Sequence, residues 1–487
     1  MSLTQNLKKL RLWLLSVVLI GAATYLLLPA PEMAVALTAL LSAIAGTILY
    51  GEERLPLVIL SLGLLIVGGV ASFKGVIEGM EWVLFVKLAA LLTWVDFLSH
   101  TRYFDHLIET YLPRQVHGFP LMALLFALAA FSAALIDEVN SIVLWYVVVR
   151  AIVGLTEANF FKLKRESWVS FVILLVSATN IGSQFLPLGN PVGIAIAVIS
   201  GLTALDFIRY AWLPALVTLA YFIARLRLGQ RALIEEFKGV TVTKEGFHIP
   251  EALHHQYELV EVVEDEAGVE HVVKEERPPL SLLHSLFGIG VIGLVAASPL
   301  SNLLNVDSAT GLGVFVLGLF AVTLFIATSH GRHTEVMLSA LPWNTLFFIV
   351  FLFGIAHGLE SSGLTDSAAE EIDSLFGQNQ IAVRVVIVIV GALVTAFMDN
   401  VIAVAVLSPI IIALGERGFD TTGLWFSLLS VAVVAGNLTP IGSTANIIAN
   451  AKVRSSWGKW WRVGGALALE CIIVNQVTLY LWEQVAG

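Results

Sequence analysis

The chain has 487 residues, of which 57% are apolar and only 13% are Asp, Glu, Lys or Arg, about half the charged fraction of an ordinary soluble domain. Its mean hydropathy is +0.87 and its net charge is −10, which excludes a soluble protein, a disordered chain and a nucleic-acid binder. Apolar runs of bilayer-crossing length recur throughout, so the sequence predicts an all-α polytopic membrane protein rather than a barrel of short alternating strands. The single cysteine, Cys471, excludes an internal disulfide and a cysteine-based metal centre.

The first apolar run, 12–28, follows Lys8, Lys9 and Arg11. It is longer than the apolar core of a signal peptide, so it predicts a retained helix. Further runs fall at 33–50, 55–71 and 83–99. The run 118–155 is broken by Asp137-Glu138-Val139-Asn140, and 168–205 is broken by Gly, Pro and Asn; 210–227 is continuous. Residues 229–279 are polar, with twelve acidic and five basic side chains. Their alternation at Val260-Glu261-Val262-Val263-Glu264 and the turn residue Gly268 are compatible with a small hairpin, or with a solvated linker. His248, His254, His255 and His271 are too scattered to specify a metal site. After the linker come 281–298, 311–329 and 343–358, then 381–415 broken at Asp399-Asn400, 424–450 broken by Gly, Pro and Asn, and 463–483.

The two halves match. Ala-Leu-Ile-Asp-Glu-Val at 134–139 aligns with Ala-Phe-Met-Asp-Asn-Val at 396–401, and Pro-Leu-Gly-Asn at 187–190 with Pro-Ile-Gly-Ser at 440–443. The expected architecture is an inverted repeat with about eleven transmembrane helices, two re-entrant hairpins and two broken helices. Residues 1–32 form an extra N-terminal span, 33–228 the first repeat, 229–279 an acidic linker and 280–487 the second repeat. If both Asp-bearing segments are hairpins, eighteen loop Lys and Arg residues lie on one side and four on the other. The positive-inside rule then puts the N-terminus and the 229–279 loop in the cytoplasm and the C-terminus outside, in a plasma (inner) membrane.

Asp137, Glu138 and Asp399 sit where an ionised carboxylate costs several kcal/mol, so a functional role is the default reading. The plainer one is that they cap the exposed amides of the tips. Asn140, Ser141 and Asn400 lie beside them. The breaks supply neutral ligands: Thr179, Asn180, Ser183 and Asn190 in the first, and Asn437, Thr439, Ser443 and Asn446 in the second. Paired interruptions of this kind point to a transporter site. No Lys or Arg is near either tip in sequence, which favours a cation, with sodium held around Asp137, Asn180, Asp399 and Asn437. Glu470 reads as a partner-seeking or site-facing carboxylate. His357, Glu360, Lys87 and Asp96 read as surface or snorkelling groups. Trp343, Trp457, Trp460 and Trp461 read as interfacial anchors.

At these residues the sequence resembles the ion-transporter superfamily of arsenite permeases, NhaD-type sodium/proton antiporters, citrate transporters and the pink-eyed-dilution protein. Thr179-Asn180-Ile181-Gly182-Ser183 with Gly189-Asn190-Pro191 is similar to the first-half signature of arsenite-permease-like members. Asp399-Asn400-Val401 and Gly436-Asn437-Leu438-Thr439-Pro440-Ile441-Gly442-Ser443 with Asn446 resemble the second-half signature, and Asp137-Glu138 the acidic pair of NhaD-type proteins. Asn190-Pro191-Val192-Gly193 departs from the Asn-Pro-Gln-Asn of the arsenite branch. The resemblance implies a homodimer and a small inorganic ion as substrate.

The expected activity is secondary transport, foremost sodium/proton antiport with sodium and the proton as coupling ions and no organic cofactor. The alternative is an arsenite or other anion or oxyacid permease. No nucleophile–base constellation appears in the polar segment, so an enzyme is not expected.

Overall fold

A computed structural model describes residues 3–50, 54–113, 115–153, 163–240, 260–264, 270–274 and 276–486. Helices α1 (Leu3–Leu27), α2 (Pro31–Tyr50), α3 (Leu55–Val67), α4 (Phe73–Glu78), α5 (Trp82–His100) and α6 (Tyr103–Tyr111) precede the first hairpin, α7 (Gly118–Ile136) and α8 (Glu138–Val153). The first broken helix is α9 (Arg165–Gly182) and α10 (Pro191–Ser200), followed by α11 (Ala204–Tyr210), α12 (Trp212–Gly229) and α13 (Arg231–Phe237). The second half holds α14 (Leu280–Leu303), α15 (Ser308–Ser329), α16 (Thr334–Ser339), α17 (Trp343–Ser361) and α18 (Leu364–Phe376). Then come the second hairpin, α19 (Gln380–Phe397) and α20 (Asn400–Glu416), and the second broken helix, α21 (Thr422–Val434) and α22 (Thr444–Val453). The short α23 (Trp457–Trp460) leads through a π-helical turn into α24 (Ala466–Ala486). Among the described residues ten helices are long and apolar enough to cross a membrane, or eleven if the α10–α11 pair, bent by 109°, counts as one span.

Between the halves, β1 (Val260–Glu264) and β2 (Glu270–Lys274) form an antiparallel pair with Val262 opposite Val272. This is the hairpin that the alternating valines allow; its turn, with Gly268, and His248, His254 and His255 lie outside the described residues.

Helices α9 and α21 form the core. Every residue from Ser170 to Gly182 and from Gly423 to Val434 is buried, as expected for helices apolar on all sides. The peripheral α1 packs on α2, where Trp13 Nε1 donates to the Ser42 carbonyl at 2.8 Å and the Thr24 and Thr38 hydroxyls meet at 2.7 Å.

Both Asp-bearing segments fold back on themselves. Ser141 Oγ in α8 donates to the Ala129 carbonyl of α7 at 2.8 Å, and Trp145 Nε1 donates to Ser132 Oγ at 2.8 Å. Residues shortly after the tip therefore contact residues shortly before it, and Ser132 Oγ also meets Ser141 Oγ at 2.8 Å. In the second hairpin Gly391 of α19 faces Leu407 of α20. Both turns are set by an Asp. Asp137 leaves the helix at φ 65° and ψ 163°, a region that side-chain-bearing residues enter at a cost of about 1–3 kcal/mol. Its Oδ1 accepts from the amides of Val139 at 2.6 Å and Asn140 at 3.0 Å, which caps α8. Asp399 caps α20 by accepting from Val401 N at 3.2 Å.

Glycine decides one contact that positions the breaks. A Cβ on Gly182 would fall on the Ala130 backbone, because α7 and α9 cross there at minimal distance. Gly182→Ala is expected to push them apart and to destabilise by about 1–3 kcal/mol, read as a lowered thermal midpoint in detergent; an unchanged midpoint would contradict this packing.

Candidate functional site

The two hairpin tips and the two breaks converge. The breaks are closed by equivalent helix caps: Asn190 Oδ1 accepts from Gly193 N at 2.7 Å to start α10, and Ser443 Oγ accepts from Asn446 N at 3.2 Å to start α22. These are the two positions that the aligned Pro-Leu-Gly-Asn and Pro-Ile-Gly-Ser motifs equate. Asn190 Nδ2 also donates to the Ser183 carbonyl at 2.9 Å and to its hydroxyl at 3.0 Å. Asn446 Nδ2 holds the Gly436 and Thr439 carbonyls at 2.8 and 3.1 Å. Each break is thus stapled by an asparagine that satisfies backbone groups freed from the helix, as buried backbone requires.

Between the breaks, Asn180 Nδ2 lies within bonding distance of three acceptors, Asn437 Oδ1 at 2.7 Å, Asn446 Oδ1 at 3.0 Å and Ser443 Oγ at 3.2 Å. An amide carries two hydrogens, so oxygen is in excess here. Asn180 Oδ1 is buried with no hydrogen-bond partner. The cluster is rich in neutral oxygen and completely buried, with Asn180, Ser443 and Asn446 at 0% exposure.

The three carboxylates have different surroundings. Asp137 is used up locally: besides the two amides, its Oδ2 takes Asn140 Nδ2 at 2.5 Å. Asp399 Oδ2 takes Arg54 Nη2 at 2.7 Å and Thr444 Oγ1 at 3.0 Å. A helix N-terminus is itself a favourable place for negative charge, so both capping aspartates are compensated. Glu138 is not. It is 1% exposed, and among the described residues its carboxylate receives only Ser183 Oγ at 3.1 Å and Asn400 Nδ2 at 3.2 Å. Asp137 directly precedes it in the chain, and its partner Asn400 directly follows Asp399. It therefore sits between both tips and the first break with neutral donors alone.

The two tips touch each other, and so do the two breaks. Glu138 and Asn400 occupy the same place in the aligned tips and are hydrogen-bonded, and Asn180 meets Asn437 across the breaks.

Several expectations need correction. The four residues named for sodium are not one cage: Asn180 and Asn437 are together, whereas Asp137 and Asp399 are bound up as helix caps. Thr179 turns its hydroxyl back to the Val176 carbonyl at 2.8 Å, and Thr439 bonds the Ala396 carbonyl, so neither points into the oxygen cluster. A cation does reach one tip. Arg54, read from the sequence as a loop charge, is 7% exposed, stacks 3.8 Å from the Phe348 ring centroid and pairs with Asp399. Trp460 is no interfacial anchor: it is fully buried, and its Nε1 donates to the Asn437 carbonyl at 3.0 Å. Lys87 does not snorkel but is buried beside Leu91 and Pro187. Glu470 is paired with Arg225 at 2.8 Å and with the Tyr221 hydroxyl at 2.8 Å, away from the tips. Asp96 faces Arg332 at 3.5 Å.

One buried network was not anticipated. Asn475 of α24 joins Gln184, Thr218 and Ser430 at 3.1, 3.1 and 2.6 Å. Its sequence signal is the amide pair Asn475-Gln476 in an apolar span. Trp460→Phe keeps an aromatic ring but removes the donor to Asn437 and part of the buried indole. It is expected to cost about 1–3 kcal/mol, that of an orphaned buried carbonyl, and to weaken substrate binding; equal thermal midpoints for both proteins would overturn that support role.

Two separate cavities reach the tips. One of about 270 Å³ is lined by Arg54, Asn344, Thr345, Asp399, Thr444 and Ile447 among others. Another of about 20 Å³ lies against Asp137, Asn190, Pro191 and Ile194. The Pro-x-Gly alignment equates Asn190, Pro191 and Ile194 with Ser443, Thr444 and Ile447, so these are matched places of very different size.

Known proteins resemble the chain along most of its length. The family model described as Citrate transporter matches residues 17–383 and 315–482. An uncharacterized transporter of Mycobacterium tuberculosis is 26% identical over 424 residues, 83% of this chain and 86% of that protein. The arsenical pump membrane protein of Escherichia coli is 26% identical over 201 residues, 39% of this chain and 44% of that protein. The solved YdaH transporter of Alcanivorax borkumensis covers 86% of each chain at 14% identity with a TM-score of 0.44.

Proposed function

The chain belongs to the citrate transporter family, and from that premise we propose a secondary active ion transporter in which Glu138 is the exchanging carboxylate. One observation carries this reading: among the described residues, Glu138 is the buried tip carboxylate with neither a cation nor a backbone amide as partner. Such a group takes up a proton or an alkali cation in place of a fixed counter-charge. Asn180 Oδ1, Asn437, Ser443 and Asn446 provide neutral oxygens a short way off. Sodium/proton antiport follows from one carboxylate holding either ion in turn.

The two matched cavities support alternating access about an inverted repeat. Such a repeat builds the same opening twice, on opposite membrane faces, with one closed at a time. On this reading the Arg54 side is open and the Asp137 side closed. The plasma membrane and a cytoplasmic N-terminus belong to the same proposal. Arg209 and Arg384, both assigned to the basic-poor face, bond Ala486 and Glu483 at the C-terminal end of α24, which supports it.

Proteoliposomes carrying an interior pH dye test the proposal: an imposed sodium gradient is expected to drive proton movement. A wild-type protein inert to sodium and lithium would overturn the cation reading. A second reading has its own observation, the Arg54 guanidinium on the wall of the larger cavity. It takes a small oxyanion, oxyacid or carboxylate as substrate, in line with the names of the citrate family and the arsenical pump, with Glu138 still coupling a proton. Resistance of a host lacking arsenic efflux, scored against sodium resistance, separates the two.

Access can be read directly. In a Cys471→Ser background, Ile447→Cys is expected to react with a membrane-impermeant thiol reagent faster than Ile194→Cys, from the opposite membrane face. Equal rates from one face would contradict the two-sided arrangement.

A further inference from the structure

Away from the tips, a cavity of about 650 Å³ opens where the start of α9, the end of α22 and α23 meet. Arg165, Arg454, Lys459 and Arg462 line it, with Glu166 as its one carboxylate. Among the described residues none of the four cations has an ion-pair partner; Arg462 Nε donates to the Gly458 carbonyl at 3.1 Å. Arg454 is held at φ 50°, a left-handed conformation that ends α22. Two indoles on the adjoining turns, Trp457 and Trp461, are 54% and 47% exposed, the amphipathic signature of the headgroup level of a bilayer.

We infer that this cavity binds the phosphate of an anionic phospholipid headgroup. Four converging cations against one carboxylate leave a net charge of about +3, and basic pockets between membrane helices suit such headgroups. Guanidinium groups match phosphate oxygens in geometry as well as charge. The exposed indoles favour a lipid over a free anion, since they set the pocket at the depth where headgroups lie.

The location couples the pocket to the candidate site. Helix α9 runs from Arg165 to the break that carries Asn180 and Ser183, and α22 runs from Ser443 to Arg454. Trp460 of α23 holds the Asn437 carbonyl. A headgroup in the pocket therefore bridges the far ends of three elements that build the oxygen cluster.

Thermal unfolding of the purified full-length protein in detergent tests the inference with three additives: dioctanoyl phosphatidylglycerol, dioctanoyl phosphatidylcholine and inorganic phosphate. Phosphatidylglycerol alone is expected to raise the midpoint. The Arg165→Gln/Arg454→Asn/Arg462→Gln protein uses Asn where a left-handed residue is needed. It is expected to bind phosphatidylglycerol about a hundredfold more weakly, three charges at about a factor of five each. If that protein does not fold, Lys459→Gln alone is expected to weaken binding by about a factor of five. An equal shift with inorganic phosphate, or an undiminished phosphatidylglycerol shift in the variants, would overturn the proposal.

Discussion

Glu138→Gln is expected to reduce ion-driven proton movement to the level of protein-free vesicles while leaving the protein folded. Glutamine keeps the length of the side chain and can still accept from Asn400 Nδ2, so the contacts at the tip survive. What disappears is the exchangeable charge. Asp137→Asn is the informative comparison. Asparagine caps helices about as well as aspartate, and the Asp137 carboxylate is occupied by the α8 amides and Asn140. Its replacement is expected to retain substantial transport. Exchange that survives in Glu138→Gln but vanishes in Asp137→Asn would overturn the assignment of the coupling carboxylate.

The second large effect concerns Arg54 and Asp399. Their side chains are 9% and 4% exposed and 2.7 Å apart. Removing one member of a buried ion pair leaves an uncompensated charge and costs about 3–5 kcal/mol, whereas removing both often costs far less. Arg54→Gln is therefore expected to lower the thermal midpoint sharply, and Arg54→Gln/Asp399→Asn to recover most of that loss. Arg54→Lys is expected to fall between them, since it keeps the charge but loses the planar stack on Phe348. Strictly additive single effects would mean that the pair is not coupled. The same variants bear on substrate: if Arg54 receives an anion, Arg54→Lys raises the half-saturating concentration of that anion and leaves sodium-driven exchange near wild type.

The elements and their interruptions were legible in the sequence because they are local. A bilayer leaves no backbone group unsatisfied, so long apolar runs must be helices. Breaks within them must carry residues that replace the lost bonds, as Asp137, Asn190, Asp399 and Ser443 do. The matched motifs brought Asp137, Asn180, Asp399 and Asn437 forward as candidate site residues, whereas Asn190 and Ser443 read as neutral ligands and not as caps.

The use of each polar side chain was not legible. Asp137 and Glu138 are adjacent in the chain, yet successive residues at a helix start point about 100° apart. One turns back to its own amides and the other faces Asn400, 262 positions away. Arg54 finds Asp399 across 345 positions, and Trp460 finds the Asn437 carbonyl through a buried ring that hydropathy alone reads as interfacial. By itself the sequence determined that this is a helical membrane protein and where its helices break, since hydropathy and helix-breaking residues act over a few residues. Only the tertiary structure decided that Asp399 is neutralised and Glu138 is not. The reason is that counter-charge depends on which distant helices pack against a group, and no periodicity in the chain encodes that.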